Sequence, residues 1–425
     1  MKKKYFLMHF LKKIFAGLFI KNTIGAYVLQ VDKALFAFVV LPLLASRLGI
    51  PVFGVFSAFL SLSVTVGAFV DWGLSQTAIQ ALAIANNREK SHIAGAVILA
   101  KLTLTIPVAL IVVAVCFLLP PFNDHPTLGL LTVLTMYAVS LSPVFLFQAE
   151  EKSLEIGALL LVMRLMSIVF IFVLIKTPDD LNLSFFIYLI FIYMAVGAGW
   201  VVLAYKYKFK IYITSSREVL QQITGGFDFA FANIGSSLYG NGSVFLLSLV
   251  CSSAQVGLFG LALTFARGIS SVLTPVSQSY LPKISRLYEE SFAKARNIVR
   301  KILVLQALVA CGLVAIVWII LFYLVRENFH NNSRELFQLI IILSPVIVST
   351  LISSMLVLFV VIPLETNRFY RNLVAVSSLF GSVCLLLLGY MYQSYGAALT
   401  IMITETIVCL VIVNHSMRTI GSKAE

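Results

Sequence analysis

The apolar positions of this 425-residue chain come in long unbroken runs, such as Ile106–Leu119 and Ile401–Val413, rather than as the stripe of an amphipathic surface helix. A helix needs about 20 apolar residues to cross roughly 30 Å of hydrocarbon. On that basis twelve spans are predicted: 23–45, 52–72, 93–119, 128–149, 154–175, 184–205, 224–251, 256–281, 300–323, 336–362, 371–392 and 396–417. Breaker chemistry separates them at Gly49-Ile50-Pro51, Asn86-Asn87, Pro120-Pro121, Pro178-Asp179-Asp180, Asn331-Asn332 and Tyr395-Gly396. A transmembrane barrel would instead alternate apolar and polar residues in segments of about ten.

Composition narrows the class further. Hydrophobic residues make up 60% and charged residues 12%, against about 45–50% and about 25% in soluble domains. Such a thin supply of charge excludes a water-soluble enzyme and a disordered chain. Cys116, Cys251, Cys311, Cys384 and Cys409 have no metal or redox spacing and read as small packing residues. The basic N-terminus resembles a signal peptide only superficially, because lysines interrupt its apolar stretch. No GxSxG, HExxH or Walker loop is present, and the five histidines are scattered. The chain is therefore read as a non-enzyme with no cofactor, driven if at all by a proton or sodium gradient.

Charge distribution orients the spans. With the N-terminus in the cytoplasm, 23 of the 31 Lys and Arg fall in cytoplasmic segments, four in outer loops and four inside spans. This is the positive-inside bias, and it places both termini in the cytoplasm. The basic segment 206–223 divides the chain into an N-terminal lobe, 1–205, and a C-terminal lobe, 224–425, each with six spans. Residues 285–301 are expected to form an amphipathic surface helix. Asn22-Thr23-Ile24-Gly25 with Phe53-Gly54 is echoed by Asn233-Ile234-Gly235 with Phe259-Gly260. Six spans return the chain to its starting side, so the lobes would be parallel repeats with a substrate site between them.

The intramembrane cations are Lys33, Lys101, Arg164 and Arg267. Each lies about 12–17 Å along its span, where facing lipid would cost about 2.5–3.5 kcal/mol. Asp32, Glu405 and Asp228 are the candidate anions for pairing or ion coupling. Asp32 points about 100° away from Lys33 on the helix and is free to pair elsewhere. The cations outnumber these anions in the N-terminal lobe, so a net positive, hydrated cavity is expected, suited to an anionic headgroup. The alternative is a set of internal ion pairs, or lysines that snorkel. Gln30, Gln148, Tyr239, Asn241 and Gln278 are further polar candidates for the cavity or for interhelical hydrogen bonds. Pro107, Pro143, Pro275 and Pro345 are candidate hinges.

Local motifs carry a family resemblance. Leu48-Gly49-Ile50-Pro51-Val52-Phe53-Gly54 follows the first span, Asp71-Trp72-Gly73-Leu74 ends the second, and Pro143-Val144-Phe145-Leu146-Phe147-Gln148-Ala149-Glu150-Glu151 follows the fourth. Lys176-Thr177-Pro178-Asp179-Asp180, Val256-Gly257-Leu258-Phe259, Tyr280-Leu281-Pro282 and Tyr395-Gly396-Ala397 follow in order. The set resembles the polysaccharide transporter family of Wzx-type flippases, in the MOP superfamily that also holds multidrug extruders. Phe145 and Ala149 depart from the family's Trp and Gly. The resemblance implies an all-α, MATE-like membrane protein with two six-helix lobes around a central cavity. It also implies residence in a bacterial inner membrane and a polyprenyl-diphosphate-linked oligosaccharide as substrate, for O-antigen or another surface polysaccharide. Polymerase and chain-length proteins are the implied partners, and nucleic acid is not. The four cations would then offset the diphosphate charge. A multidrug or cation antiporter, expected to favour acidic lobes, and a membrane glycan polymerase, expected to show a large outer loop, are the rival readings.

Overall fold

The computed structural model describes residues 24–422 except 26, 211, 213, 329–332 and 365. Among the described residues the chain is helical, without strands. In order come α1 (Tyr27–Leu48), α2 (Ile50–Asp71), α3 (Leu74–Ile84), α4 (Asn87–Leu118), α5 (Pro126–Ser140), α6 (Val144–Ala149), α7 (Ser153–Leu174) and α8 (Leu181–Tyr205). There follow α9 (Ser216–Gly225), α10 (Phe227–Tyr239), α11 (Ser243–Ser248), α12 (Ser253–Glu290), α13 (Phe292–Asn328), α14 (Ser333–Leu356) and α15 (Asn367–Ser422). Nine stretches of the described residues are long and apolar enough to cross a membrane.

The local chemistry accounts for the boundaries. Gly49 adopts φ 77° between α1 and α2, a conformation glycine reaches without a Cβ penalty. Trp72 (φ 49°) and Gly73 (φ 73°) end α2 with two left-handed residues, and the Trp72 indole donates to the Ile223 carbonyl at 3.1 Å. Asn86 and Glu89 form a capping box at the start of α4. Gln393 (φ 54°, ψ −136°) kinks α15 into two arms, where the sequence predicts the break between its last two spans.

Prolines decide two further irregularities. A proline ring clashes with the carbonyl four residues earlier. Pro42 opposes Phe38 and Pro363 opposes Phe359, and each opposed residue is the centre of a π turn, Phe36–Val40 and Val357–Val361. The wider turn moves the carbonyl out of the ring's way. Two expectations are corrected. The span over 224–251 is not continuous, because Gly240-Asn241-Gly242 interrupt it between α10 and α11. Residues 285–301 do not form a separate surface helix; they are the end of α12 and the start of α13, parted at Ser291. The linker instead holds α9, which Ser215 and Glu218 cap.

Packing centres on α2, the most buried of the membrane-length stretches. It lies against α12 so closely that a Cβ on Gly54 would fall 1.7 Å from the Ser253 carbonyl oxygen, and one on Gly257 2.6 Å from that of Ile50. Gly54 also meets Gly257, and Ser57 meets Gly260, so between these two contacts residue order rises together along both helices. The two helices therefore run in the same direction there. The largest apolar cluster draws on both halves, including Phe53, Phe122, Phe259 and Leu343, and holds most of its residues toward the end where cations are few. At the cation-rich end the core divides. One cluster there holds Leu74, Ala94, Phe145 and Leu203, and the other Ile284, Val299, Phe359 and Ile412.

Ser61 of α2 closes the α10–α11 break. Its hydroxyl donates to the Asn241 carbonyl and accepts from the Phe245 amide at 3.0 Å. A Ser61→Ala change leaves both groups unpaired in a buried place, at a cost of about 1–3 kcal/mol each. A lowered thermal transition of the purified protein is the expected result.

Candidate functional site

The middle of the N-terminal half holds an ion pair. Arg164 lies midway along α7 and donates from Nε to Asp32 Oδ1 of α1 at 3.0 Å, with side chains 19% and 13% exposed. The guanidinium carbon stands 4.6 Å from the centre of the Phe36 ring. Phe36 opens the π turn, so the widened backbone and the charge pair occupy successive turns of one helix. Phe36, Phe56, Met163, Ser167 and Tyr188 share the surrounding cleft, whose free volume is about 40 Å³. That is room for a few waters and not for a sugar. The Gln30 side-chain oxygen, two residues before Asp32, is buried and has no hydrogen-bond partner among the described residues. Lys33, rotated away from Asp32, is exposed.

A second pair is closed. Lys101 of α4 is 2% exposed, with Nζ 2.7 Å from Asp71 Oδ1 and 2.7 Å from Ser75 Oγ. Ser75 in turn donates to Asp71. The Phe145 ring covers the ammonium at 5.1 Å, a favourable cation–π placement. Two of the quoted motifs thus meet at Lys101: Asp71 neutralises it and Phe145 shields it. The departure from tryptophan at position 145 keeps an aromatic face there.

The C-terminal half builds its own cluster. Arg267 of α12, Glu405 of α15 and Tyr239 at the end of α10 interact electrostatically. The Tyr239 hydroxyl sits beside Thr404 and donates to the Ile401 carbonyl at 3.3 Å. Its ring lies on Gly381, where a Cβ would meet Cε2 at 2.4 Å. Tyr188 stands in the same relation to Arg164 and Asp32. Each half therefore presents one arginine, one carboxylate and one tyrosine, on α7, α1 and α8 in the first and on α12, α15 and α10 in the second.

The expected surplus of intramembrane cations is corrected by these contacts. Lys101 and Arg164 each have a carboxylate in contact, Arg267 has Glu405 within electrostatic reach, and Lys33 is exposed. The sequence reading missed Asp71, which sits in the last turn of α2 and was available as an intramembrane anion. It also missed Tyr188. Gln148 is exposed, and Asn241 contributes its carbonyl to the helix break while its side chain is exposed. The side chains of Asp228 and Gln278 lie outside the described residues.

The family described as polysaccharide biosynthesis protein matches residues 19–288, more than half of the 425-residue chain. The chain belongs to that family. Its curated relatives include a protein of Escherichia coli (strain K12) named "Putative O-antigen transporter", 23% identical over 391 residues, covering 91% of this chain and 94% of the relative. One of the same name from Shigella dysenteriae is 23% identical over 394 residues, covering 92% and 98%. Among solved structures, the inward-facing conformation of a multidrug resistance MATE family transporter of the MOP superfamily matches with TM-score 0.65 at 14% identity, over 95% of this chain and 94% of that one. A MOP superfamily transporter from Pyrococcus furiosus, described by the reverse polarity of its binding pocket, matches with TM-score 0.56 at 13% identity, over 96% of both chains. These likenesses establish a MATE-like, multi-pass helical fold.

Proposed function

We propose that this protein is a flippase that moves polyprenyl-diphosphate-linked oligosaccharides across the bacterial inner membrane by alternating access. The observation that carries the reading is the mostly half-buried arginine–carboxylate–tyrosine set in each half of a chain whose family is described as polysaccharide biosynthesis protein. Twelve crossings follow if the kinked α15 counts as two and the broken α10–α11 and the long α12 are added to the other membrane-length stretches. The positive-inside bias puts the cation-rich end in the cytoplasm. The halves share a core at the opposite end and have separate cores at this one. The conformation is thus read as inward-facing, with the outer side sealed around Gly54 and Gly257.

The charge chemistry differs from a simple cationic lining. A guanidinium carries five donors in a fork, and Arg164 gives one of them, Nε, to Asp32. A diphosphate can take the remaining donors or displace the carboxylate. A proton on Asp32 or Glu405 would release its arginine to the substrate, which supplies a route for ion coupling. The isoprenoid stays in lipid while the sugars pass through water.

The test is surface-glycan export in cells lacking their own flippase, paired with flipping of a fluorescent lipid-linked oligosaccharide in liposomes. Arg164→Lys and Arg267→Lys keep the charge and lose the fork. Losing a charge-assisted hydrogen bond of about 1.5–3 kcal/mol corresponds to roughly a 10–100-fold fall, with the amount of protein in the membrane unchanged. Wild-type export by both variants would refute the assignment of these arginines. Drug efflux without glycan export by the unaltered protein would refute the substrate.

A further inference from the structure

Away from the two arginine sets, the cation-rich end carries another concavity. A cavity of about 460 Å³ lies where the start of α4, the turn between α6 and α7, and the segment after α8 converge. Arg88, Lys90, Lys152, Lys208 and Lys210 line it, and Glu150 is the one carboxylate among its described lining residues. Glu150 is already engaged, 2.5 Å from Lys90 Nζ and 3.6 Å from that of Lys152. The hydrogen bond from Lys90 holds its carboxyl below the usual carboxylate range, so it stays ionised at neutral pH. Among the described residues, Arg88, Lys208 and Lys210 have no carboxylate within 4.0 Å.

Five cations against one anion repel one another, and the wall they form attracts an anion. The backbone is bent to make that wall. Lys208 adopts φ 51°, and the Phe209 amide returns to the Leu203 carbonyl at 3.0 Å. A left-handed non-glycine residue costs roughly 1–2 kcal/mol and persists only where its surroundings hold it. Lys152 is fixed from the other side, with Nζ 3.4 Å from the centre of the Tyr207 ring. Leu146, Leu203 and Phe209 supply apolar surface beside the cations. An ordinary positive-inside loop spreads its cations into water; here they converge on one concavity with a greasy floor.

We infer that this cavity is a phosphate-binding site at the inner membrane surface, built for an anionic lipid headgroup or for a free polyphosphate of the same chemistry. It is distinct from the arginine sets, and it stands whether or not the transport reading does.

The experiment uses the purified full-length protein. Native mass spectrometry follows retention of phosphatidylglycerol against phosphatidylcholine, and thermal unfolding follows a titration with inorganic diphosphate. The variant is Lys208→Gln with Lys210→Gln. Arg217→Gln, an exposed cation of α9 outside the cavity, is the control. Retention of phosphatidylglycerol by the wild type and the control, reduced at least fivefold in the double variant, supports the site with a lipid as its source. A diphosphate-dependent rise in transition temperature, lost in the double variant and without lipid preference, supports it with free phosphate as the source. Equal binding of both probes by the wild type and the double variant, or no binding of either, overturns it.

Discussion

Lys101→Met is expected to remove most of the protein from the membrane fraction. The lysine is 2% exposed and lies between Asp71 and Ser75. Without it the Asp71 carboxylate keeps a hydroxyl and loses its countercharge. Removing one partner of a buried pair costs about 3–5 kcal/mol, a large part of a total stability of about 5–15 kcal/mol. A change that removes both charges behaves differently, because an apolar pair of similar volume is often neutral or better. The double change Lys101→Met with Asp71→Leu is therefore expected to restore monodisperse protein on size-exclusion chromatography. If the single variant accumulates and elutes as the wild type does, the pair does not hold α4 to α2.

Gly54→Val is expected to be as damaging, for a steric reason. Its Cβ would overlap the Ser253 carbonyl oxygen, 1.7 Å away, and that backbone atom cannot swing aside as a side chain can. The helices must part where the two halves share their core. Overpacking usually costs about 1–3 kcal/mol and more where nothing yields. Gly67→Ala in the same helix is the matched control. Its Cβ would find Val139 at 3.8 Å, an ordinary contact, and alanine favours a helix over glycine by up to about 1 kcal/mol. A clear drop in thermal transition for Gly54→Val beside an unchanged or raised one for Gly67→Ala is the expected pattern. Equal transitions would mean that α2 and α12 do not touch as described.

Legibility followed the range of the interaction. The membrane-length stretches α2, α7 and α8 lie close to their predicted positions, because insertion into lipid depends on local apolar length. The kink at Gln393 fell at the predicted boundary for the same reason. The π turns were missed although Pro42 and Pro363 announce them, because a ring–carbonyl clash needs only the residue four positions earlier. The break at Gly240-Asn241-Gly242 was hidden for a different reason. The backbone groups it frees, the Asn241 carbonyl and the Phe245 amide, are satisfied by Ser61, 180 residues away from Asn241, and a continuous apolar run gives no sign of such a partner.

The charges show the same division. The sequence alone placed Lys101, Arg164 and Arg267 inside long apolar runs, where a charge faces a penalty unless compensated. It also determined which end of the molecule is cation-rich, since that depends only on where Lys and Arg fall between spans. Tertiary structure decided who compensates them: Asp71 for Lys101, Asp32 for Arg164, and Glu405 for Arg267. The reason is geometric. Insertion cost adds up residue by residue along one helix, whereas an ion pair depends on a few ångströms between helices, and those ångströms come from how α2, α12 and α15 pack.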